Sequence, residues 1–243
     1  MDLIAGLPFE DYDSFRKSFN DVYELRPNQL QLGFLKVLKG SYMEEKAQDY
    51  RLVYQELPPF EVLSTKWLSY SDVIRLKGIE EMVEVYYNSS QFSHTMELLE
   101  KAFPDAFSMY ESLSSYYEEH GLFSVSHTRA ARYEILLAFA EKWDKEHREA
   151  YQEQLTLDYY LRENAKTRPA FAGEETVTKE EARIFYDREA QEHLVLKGYE
   201  KYDKRQLRKM THLERVGDQI YLFDYQHRNV MNQQAKTVVV LAK

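Results

Sequence analysis

Seven histidines are the side chains of this sequence best suited to proton transfer or metal ligation near neutral pH: His94, His120, His127, His147, His193, His212 and His227. A metal site needs ligands that converge, as two histidines one helical turn apart do. The sequence has no such run. It offers Asp144 three residues before His147, and Glu189 four before His193. Each pair shares a helix face, and each reads as a solvated ion pair. The acidic doublets Glu44-Glu45, Glu80-Glu81, Glu118-Glu119 and Glu174-Glu175 place neighbouring carboxylates about 100° apart on a helix, so they cannot share a proton. They read as solvated faces. From Lys197 to Lys209 basic residues interleave with Tyr199 and Tyr202. Such a mixture can hold single-stranded nucleic acid, but here it reads as an exposed helix face or linker. The tyrosines of Tyr86-Tyr87-Asn88 read as amphipathic core. No Gly-x-Ser-x-Gly elbow occurs, and Gly6, Gly33 and Gly40 stand alone, so no loop cradles phosphate. With no cysteine, the chain has no thiolate nucleophile, disulfide, zinc ribbon or cysteine-ligated cluster.

The elements that would position these groups are mostly helices. The 243 residues include 8 Gly and 6 Pro, about half the usual ~7% and ~5% or less. Few punctuators favour long helices. Tyr (20) and Phe (13) are abundant, so the core is aromatic. A charged fraction of 30% and a hydrophobic fraction of 44% predict a soluble globular chain. No run of ~18 apolar residues suggests a membrane span. The absence of a secretory leader pattern and of cysteine points to the cytoplasm. A net charge of -9 argues against a general nucleic-acid surface.

Helical spacing predicts a helix over about 72–88, capped by Ser69 or Ser71, with Val73, Ile74, Ile79, Met82, Val83 and Tyr86 on its apolar face. Further helices are expected over 91–103 and 105–120, with Gly121 as C-cap. Another runs from Ser126 or Thr128 to His147 or beyond, burying Tyr133, Ile135, Leu136, Leu137 and Phe139. The pattern also predicts helices over 155–164 and from Thr178 to about Leu194. The tail then changes period: Met210–Val216 and Gln219–Tyr225 around Gly217-Asp218 read as a hairpin, followed by the β-rich run Thr237–Leu241.

Residues 1–40 differ from the rest. Leu3-Ile4-Ala5 reads as a buried strand closed by Gly6-Leu7-Pro8. An acidic first turn opens a helix with Phe15, Phe19, Val22, Tyr23 and Leu25 at helical spacing, and Arg26-Pro27-Asn28 stops it. Leu30–Val37 is a second strand. Strand, helix and strand in this order imply a parallel pair joined by a right-handed crossover. Ligands of parallel sheets bind at the carboxyl ends of the strands, here Ala5 to Pro8 and Lys36 to Gly40. The expected fold class is α+β and predominantly α. It comprises a βαβ unit over 1–40, a mostly helical domain over 41–243, and a small antiparallel β element at about 210–241.

The run Asp2-Leu3-Ile4-Ala5-Gly6-Leu7-Pro8, Phe15 and Phe19 on the helix, Pro27 before Gln29-Leu30-Gln31-Leu32, and Val37-Leu38-Lys39-Gly40 resemble the last two strands of a radical S-adenosylmethionine (SAM) barrel. The resemblance is to the subgroup that carries an N-terminal cobalamin-binding domain. Trp67-Leu68-Ser69-Tyr70, Tyr86-Tyr87-Asn88-Ser89 and Tyr221-Leu222-Phe223-Asp224-Tyr225 resemble the uncharacterised C-terminal domain that follows this barrel.

The resemblance implies an Fe–S oxidoreductase that uses SAM, a [4Fe-4S] cluster and, in this subgroup, cobalamin. It implies SAM-facing positions at Ala5, Gly6 and Leu7 after one strand and at Leu35, Lys36 and Val37 in the other, with largely backbone and apolar contacts. The sequence departs from the family in lacking the three cluster cysteines, spaced C-x3-C-x2-C, together with the cobalamin domain and about four βα units. The chain is therefore expected to be a C-terminal fragment, accessory or on the substrate side, with no cofactor and no activity of its own. Its partners would be the missing barrel and cobalamin domain. Two strands cannot close a barrel, so their exposed edges could also pair with a second copy. The alternative is a non-catalytic helical interaction module that self-associates or binds a protein partner. Neither nucleic acid nor membrane is expected as a partner.

Overall fold

The structure, a computed structural model, describes residues 1–165, 167–174 and 176–242. Glu175, half of one acidic doublet, and Lys243, the last residue of the second predicted domain, lie outside the described residues. The polypeptide gathers into two compact units, one of Met1–Ser89 with Glu100–Ser126, the other of Ser90–Leu99 with residues from His127 onward. The fold is α+β and mainly helical, with small sheets. No helix among the described residues is long and apolar enough to cross a membrane.

In the first unit, β1 (Asp2–Ala5) and β2 (Gln31–Phe34) pair in parallel, from Asp2 opposite Gln31 to Ala5 opposite Phe34. Helix α1 (Tyr12–Glu24) makes the crossover, so the predicted strand–helix–strand forms. Asp11 starts α1 by accepting from Ser14 N, and Ser14 accepts from Asp11 N in return, so two end donors are satisfied. Burial corrects two details. Ile4 is 47% exposed and Leu25 64% exposed, so neither lies in the core. Successive strand side chains alternate faces, and only the face carrying Ala5 is buried.

After the short helix α2 (Tyr42–Glu45), β3 (Val53–Tyr54) and β4 (Val62–Ser64) form an antiparallel pair. The capping box of Ser69 and Asp72 opens α3 (Tyr70–Val83), which runs into a π-helical turn at Glu84–Asn88. Val73, Leu76, Ile79, Met82 and Val83 are buried on α3. Ile74, predicted for that face, is 46% exposed: it follows Val73 by one position, about 100° around the helix. Farther along the chain, α5 (Ala106–Glu119) ends on Gly121 in the left-handed region. Its Phe107 and Tyr110 meet Phe19 of α1 edge-on at 5.5 and 6.0 Å between centroids. Such aromatic pairs add roughly 0.5–1.5 kcal/mol each beyond area burial.

In the second unit, α4 (Ser93–Leu99), α6 (Arg129–Trp143) and α7 (Arg148–Arg162) are followed by α8 (Lys179–Glu192) and α9 (Lys204–Met210). The predicted helix through His147 stops at Trp143. Asp144 takes a non-helical backbone, and a 3-10 turn precedes α7. Strands β5 (Thr211–Val216), β6 (Gln219–Arg228) and β7 (Ala235–Ala242) form an antiparallel sheet in that order. The hairpin turns at Gly217-Asp218, where Gly217 has positive φ. Leu157, Tyr160 and Leu161 of α7 pack with Val216, Phe223 and Tyr225 of the sheet. Phe185, Tyr186 and Leu207 pack with Leu213, Ile220 and Leu222.

Candidate functional site

The ends of β1 and β2 are held in a tight backbone ladder. Leu35 N donates to Ala5 O (2.9 Å), Val62 N to Leu35 O (2.8 Å), and Val37 N to Phe60 O (2.9 Å). Lys36 bridges Glu61 in antiparallel sense. Thus residues 35–37, just after β2, pass from the end of β1 to residues 60–62 without a break in pairing. Ala5, Leu35 and Val37 are buried, while Leu7 is 39% exposed and Lys36 is exposed. Gly6 has φ +86°, and a Cβ there would lie 2.7 Å from Val62 Cγ1. Hence only glycine suits this turn. The six predicted positions therefore gather around one junction. Three side chains face the core there, and Lys36 is the one polar side chain among them.

Just beyond, Phe9 holds an uncommon backbone, φ 69°, with 75% of its surface exposed. Its ring lies 4.7 Å from Trp67 and 5.9 Å from Tyr50. On the other side of the unit, Asn88 acts as a strand mimic. Its Oδ1 accepts from Leu30 N and its Nδ2 donates to Leu30 O, both at 2.9 Å. Tyr87 OH donates to Pro27 O at 2.5 Å, and buried Tyr86 shares a hydrogen bond with Tyr117 OH at 2.6 Å. Tyr87 and Asn88 thus pin the entry of β2 to the turn that follows α3, and Tyr86 ties that turn to α5.

The second unit carries a cleft of about 1000 Å³ whose walls include His94, Glu153, Asp218, His227, Arg228 and Lys236. Two imidazoles in these walls are each fixed by an aspartate. Asp158 of α7 has a side chain with 0% exposure. Its Oδ1 accepts from His94 N (3.1 Å) and Nδ1 (2.8 Å), and its Oδ2 from Thr95 N (2.9 Å) and Oγ1 (2.7 Å). The carboxylate thus completes the amino end of α4 and locks one imidazole. The hydrogen bond that His94 donates to Asp158 raises the His94 pKa above its ordinary value, against the effect of burial. Asp224 of β6 holds the second ring: His227 Nδ1 lies 2.7 Å from Asp224 Oδ2, and buried Tyr199 donates its hydroxyl to Oδ1 at 2.6 Å. The register of β6 and β7 shifts between Asp224 and Arg228, which re-aims this stretch. The rings keep Nε2 as the nitrogen not committed to an aspartate.

The pairings suggested by spacing fare differently. His147 Nδ1 lies 2.7 Å from Asp144 Oδ1 with its side chain 63% exposed, a solvated pair as expected. Glu189 corrects the second expectation: it is buried, and its Oε2 accepts from Val195 N and Leu196 N, so it closes the end of α8 and does not pair with His193. Tyr199, in the basic run, is buried as well. Glu214, missed in the sequence, is buried between Arg168 Nε and His212 Nε2, each at 3.4 Å. Burial alone would raise its carboxyl, but the hydrogen bond from His212 and the Arg168 charge hold it below the ordinary value. Among the described residues, no group of three or more His, Asp or Glu side chains could hold a metal ion.

No local spacing announces the two anchored histidines of the cleft. His94 and Asp158 come from different helices, and Asp224-x-x-His227 becomes a pair only because of the strand irregularity. No curated protein matches the sequence. The family described as "Protein of unknown function (DUF4080)" matches residues 48–241, a span that includes the whole cleft and excludes β1, α1 and β2. The chain belongs to this DUF4080 family.

Proposed function

We propose that the chain is the C-terminal, substrate-side part of a radical SAM Fe–S oxidoreductase and is not catalytic alone. The observation that carries this reading is the parallel strand–helix–strand of residues 2–34, set directly ahead of the family-matched region. A parallel pair of this kind is the repeating unit of an α/β barrel, and its residues are those that resemble the barrel's end. The cluster does not fit this chain, since no cysteine is present to bind it. Cluster and cobalamin would belong to the preceding part of the protein. A SAM molecule at the strand ends would meet the backbone of Ala5, Gly6, Leu35 and Val37 and the exposed side chains of Leu7 and Lys36. The test is anaerobic expression of this chain alone and joined to the sequence encoded directly upstream. The joined protein should form 5′-deoxyadenosine from SAM, and the chain alone should not. Production by the chain alone, or none by a cluster-loaded joined protein, overturns the reading.

A second reading is favoured by β1, whose Ile4 is 47% exposed and which pairs with β2 alone among the described residues. An uncovered edge of this kind can accept another strand, so the module could self-associate. Light scattering should then show a dimer that is lost in Ile4→Lys. A clean monomer at high concentration removes this reading.

A further inference from the structure

We propose that the cleft of the second unit binds an oxyanion group, the phosphate or carboxylate of a small ligand, through His94 and His227. The first ground is the double anchoring. Completing the amino end of α4 explains three of the four hydrogen bonds to Asp158, but not the one from the His94 imidazole. His227 repeats the arrangement on a different element, with its own aspartate and with Tyr199 bracing that aspartate. The two side chains are 40% and 63% exposed. Fixing an exposed ring costs rotamer freedom, and both rings stand in the wall of one cleft. Preorganised donors of this kind are what an oxyanion site requires.

The second ground is charge. With both imidazoles protonated, the wall carries positive charge at His94, His227, Arg228 and Lys236 against negative charge at Glu153 and Asp218. Counting Asp158 and Asp224, which hold the rings, four positive groups then meet four negative ones, and with both rings neutral the negative side exceeds the positive by two. Near His94 stand the further carboxylates Asp158 and Glu97, and beside His227 stand Asp224 and the neutral Tyr199. Each aspartate is committed to its own ring. Protonation therefore removes the excess negative charge that would repel an anion and supplies Nε2–H as donor from each ring, beside Arg228 and Lys236. An aspartate-anchored imidazole can also ligate a metal. Against that stands the absence, among the described residues, of a third converging ligand.

The test is calorimetry on the full chain with sulfate, inorganic phosphate and acetate at about pH 6 and about pH 8.5, either side of the usual imidazole range. Sulfate keeps its charge across this interval, so its pH dependence reports on the protein. Sulfate or phosphate should bind at the lower pH and weaken roughly tenfold at the higher one, about one pKa unit's worth of linkage. His94→Gln and His227→Gln should each weaken binding, and the double variant should abolish it with an unchanged circular dichroism spectrum. Preference for acetate over phosphate assigns the carboxylate class, and the reverse assigns the phosphate class. The proposal fails if none of the three anions binds, if affinity is indifferent to pH, or if the folded double variant binds as before. Stoichiometric Zn²⁺ binding without anion binding also overturns it. None of these outcomes depends on the radical SAM reading.

Discussion

Replacing Asp158 by alanine removes a carboxylate that accepts four hydrogen bonds in a fully enclosed position. Thr95 N–H and Thr95 Oγ1–H are buried, so both lose their acceptor with no access to bulk water. Each such orphan costs about 1–3 kcal/mol. The half-buried His94 N–H is closer to the cleft, and water can replace its acceptor. Alanine returns about 0.5 kcal/mol of helix propensity within α7. The expected net loss is about 3–5 kcal/mol. Asp158→Asn keeps the shape but turns one acceptor into a donor that faces Thr95 or His94, and about 1–3 kcal/mol should be lost. Thr95→Val removes a single hydroxyl and should cost about 1 kcal/mol. Urea unfolding gives the totals. With a slope of about 2–3 kcal/mol/M, Asp158→Ala should lower the midpoint by more than about 1 M. Because the chain has two units, hydrogen exchange at the Thr95 amide supplies the local readout, and its protection should fall most. A loss under about 1 kcal/mol with Thr95 still protected would refute the view that this carboxylate organises α4 and the His94 ring.

Other expectations follow from the same contacts. Asn88→Ala should cost about 1–3 kcal/mol, since it orphans both backbone groups of Leu30; thermal unfolding measures it, and a change below about 0.5 kcal/mol contradicts the strand-mimic role. Gly6→Ala should destabilise by at least about 1 kcal/mol, because φ +86° and the 2.7 Å approach to Val62 act together; a neutral or stabilising effect in denaturant titration would show that the turn relaxes freely. His94 has a raised folded-state pKa, so its stabilising share is full below the unfolded value and fades as pH rises through the folded one. Glu214 has the opposite sign. Its depressed pKa stabilises above the unfolded carboxylate value and is lost as pH falls through the folded one. Melting curves of His94→Gln and Glu214→Gln against wild type, from about pH 3 to 9, should show the gaps closing at the alkaline and acid ends respectively.

Much of the architecture was legible because it is written in local chemistry. Phe15, Phe19 and Tyr23 mark α1, Pro27 stops it, Gly217-Asp218 turns the hairpin, and Thr178 with Glu181 opens α8. Where reading failed, a tertiary contact or an irregular backbone decided. Ile74 falls just off the buried stripe of α3. Asp144 breaks a helix that propensity would continue. Glu189 looks like half of a surface pair but satisfies the backbone of the turn after α8. The cleft was the least legible part. His94 meets Asp158 only when α4 packs on α7, and Tyr199 meets Asp224 only when the basic stretch folds back on β6. The pattern that resembles a barrel end implies Ala5 to Leu7 and Leu35 to Val37 as site positions, and they lie at and just beyond the ends of β1 and β2. What that pattern could not convey is that residues 60–62 pair with β2's continuation and press Val62 on Gly6.

The most direct test of the proposed role is to read the codons in frame upstream of Met1. The account predicts an uninterrupted frame that encodes C-x3-C-x2-C roughly 100–150 residues earlier, within ordinary domain size. An in-frame stop followed by a ribosome-binding site just before Met1 would contradict it, because the cluster ligands would then have no place in the same polypeptide.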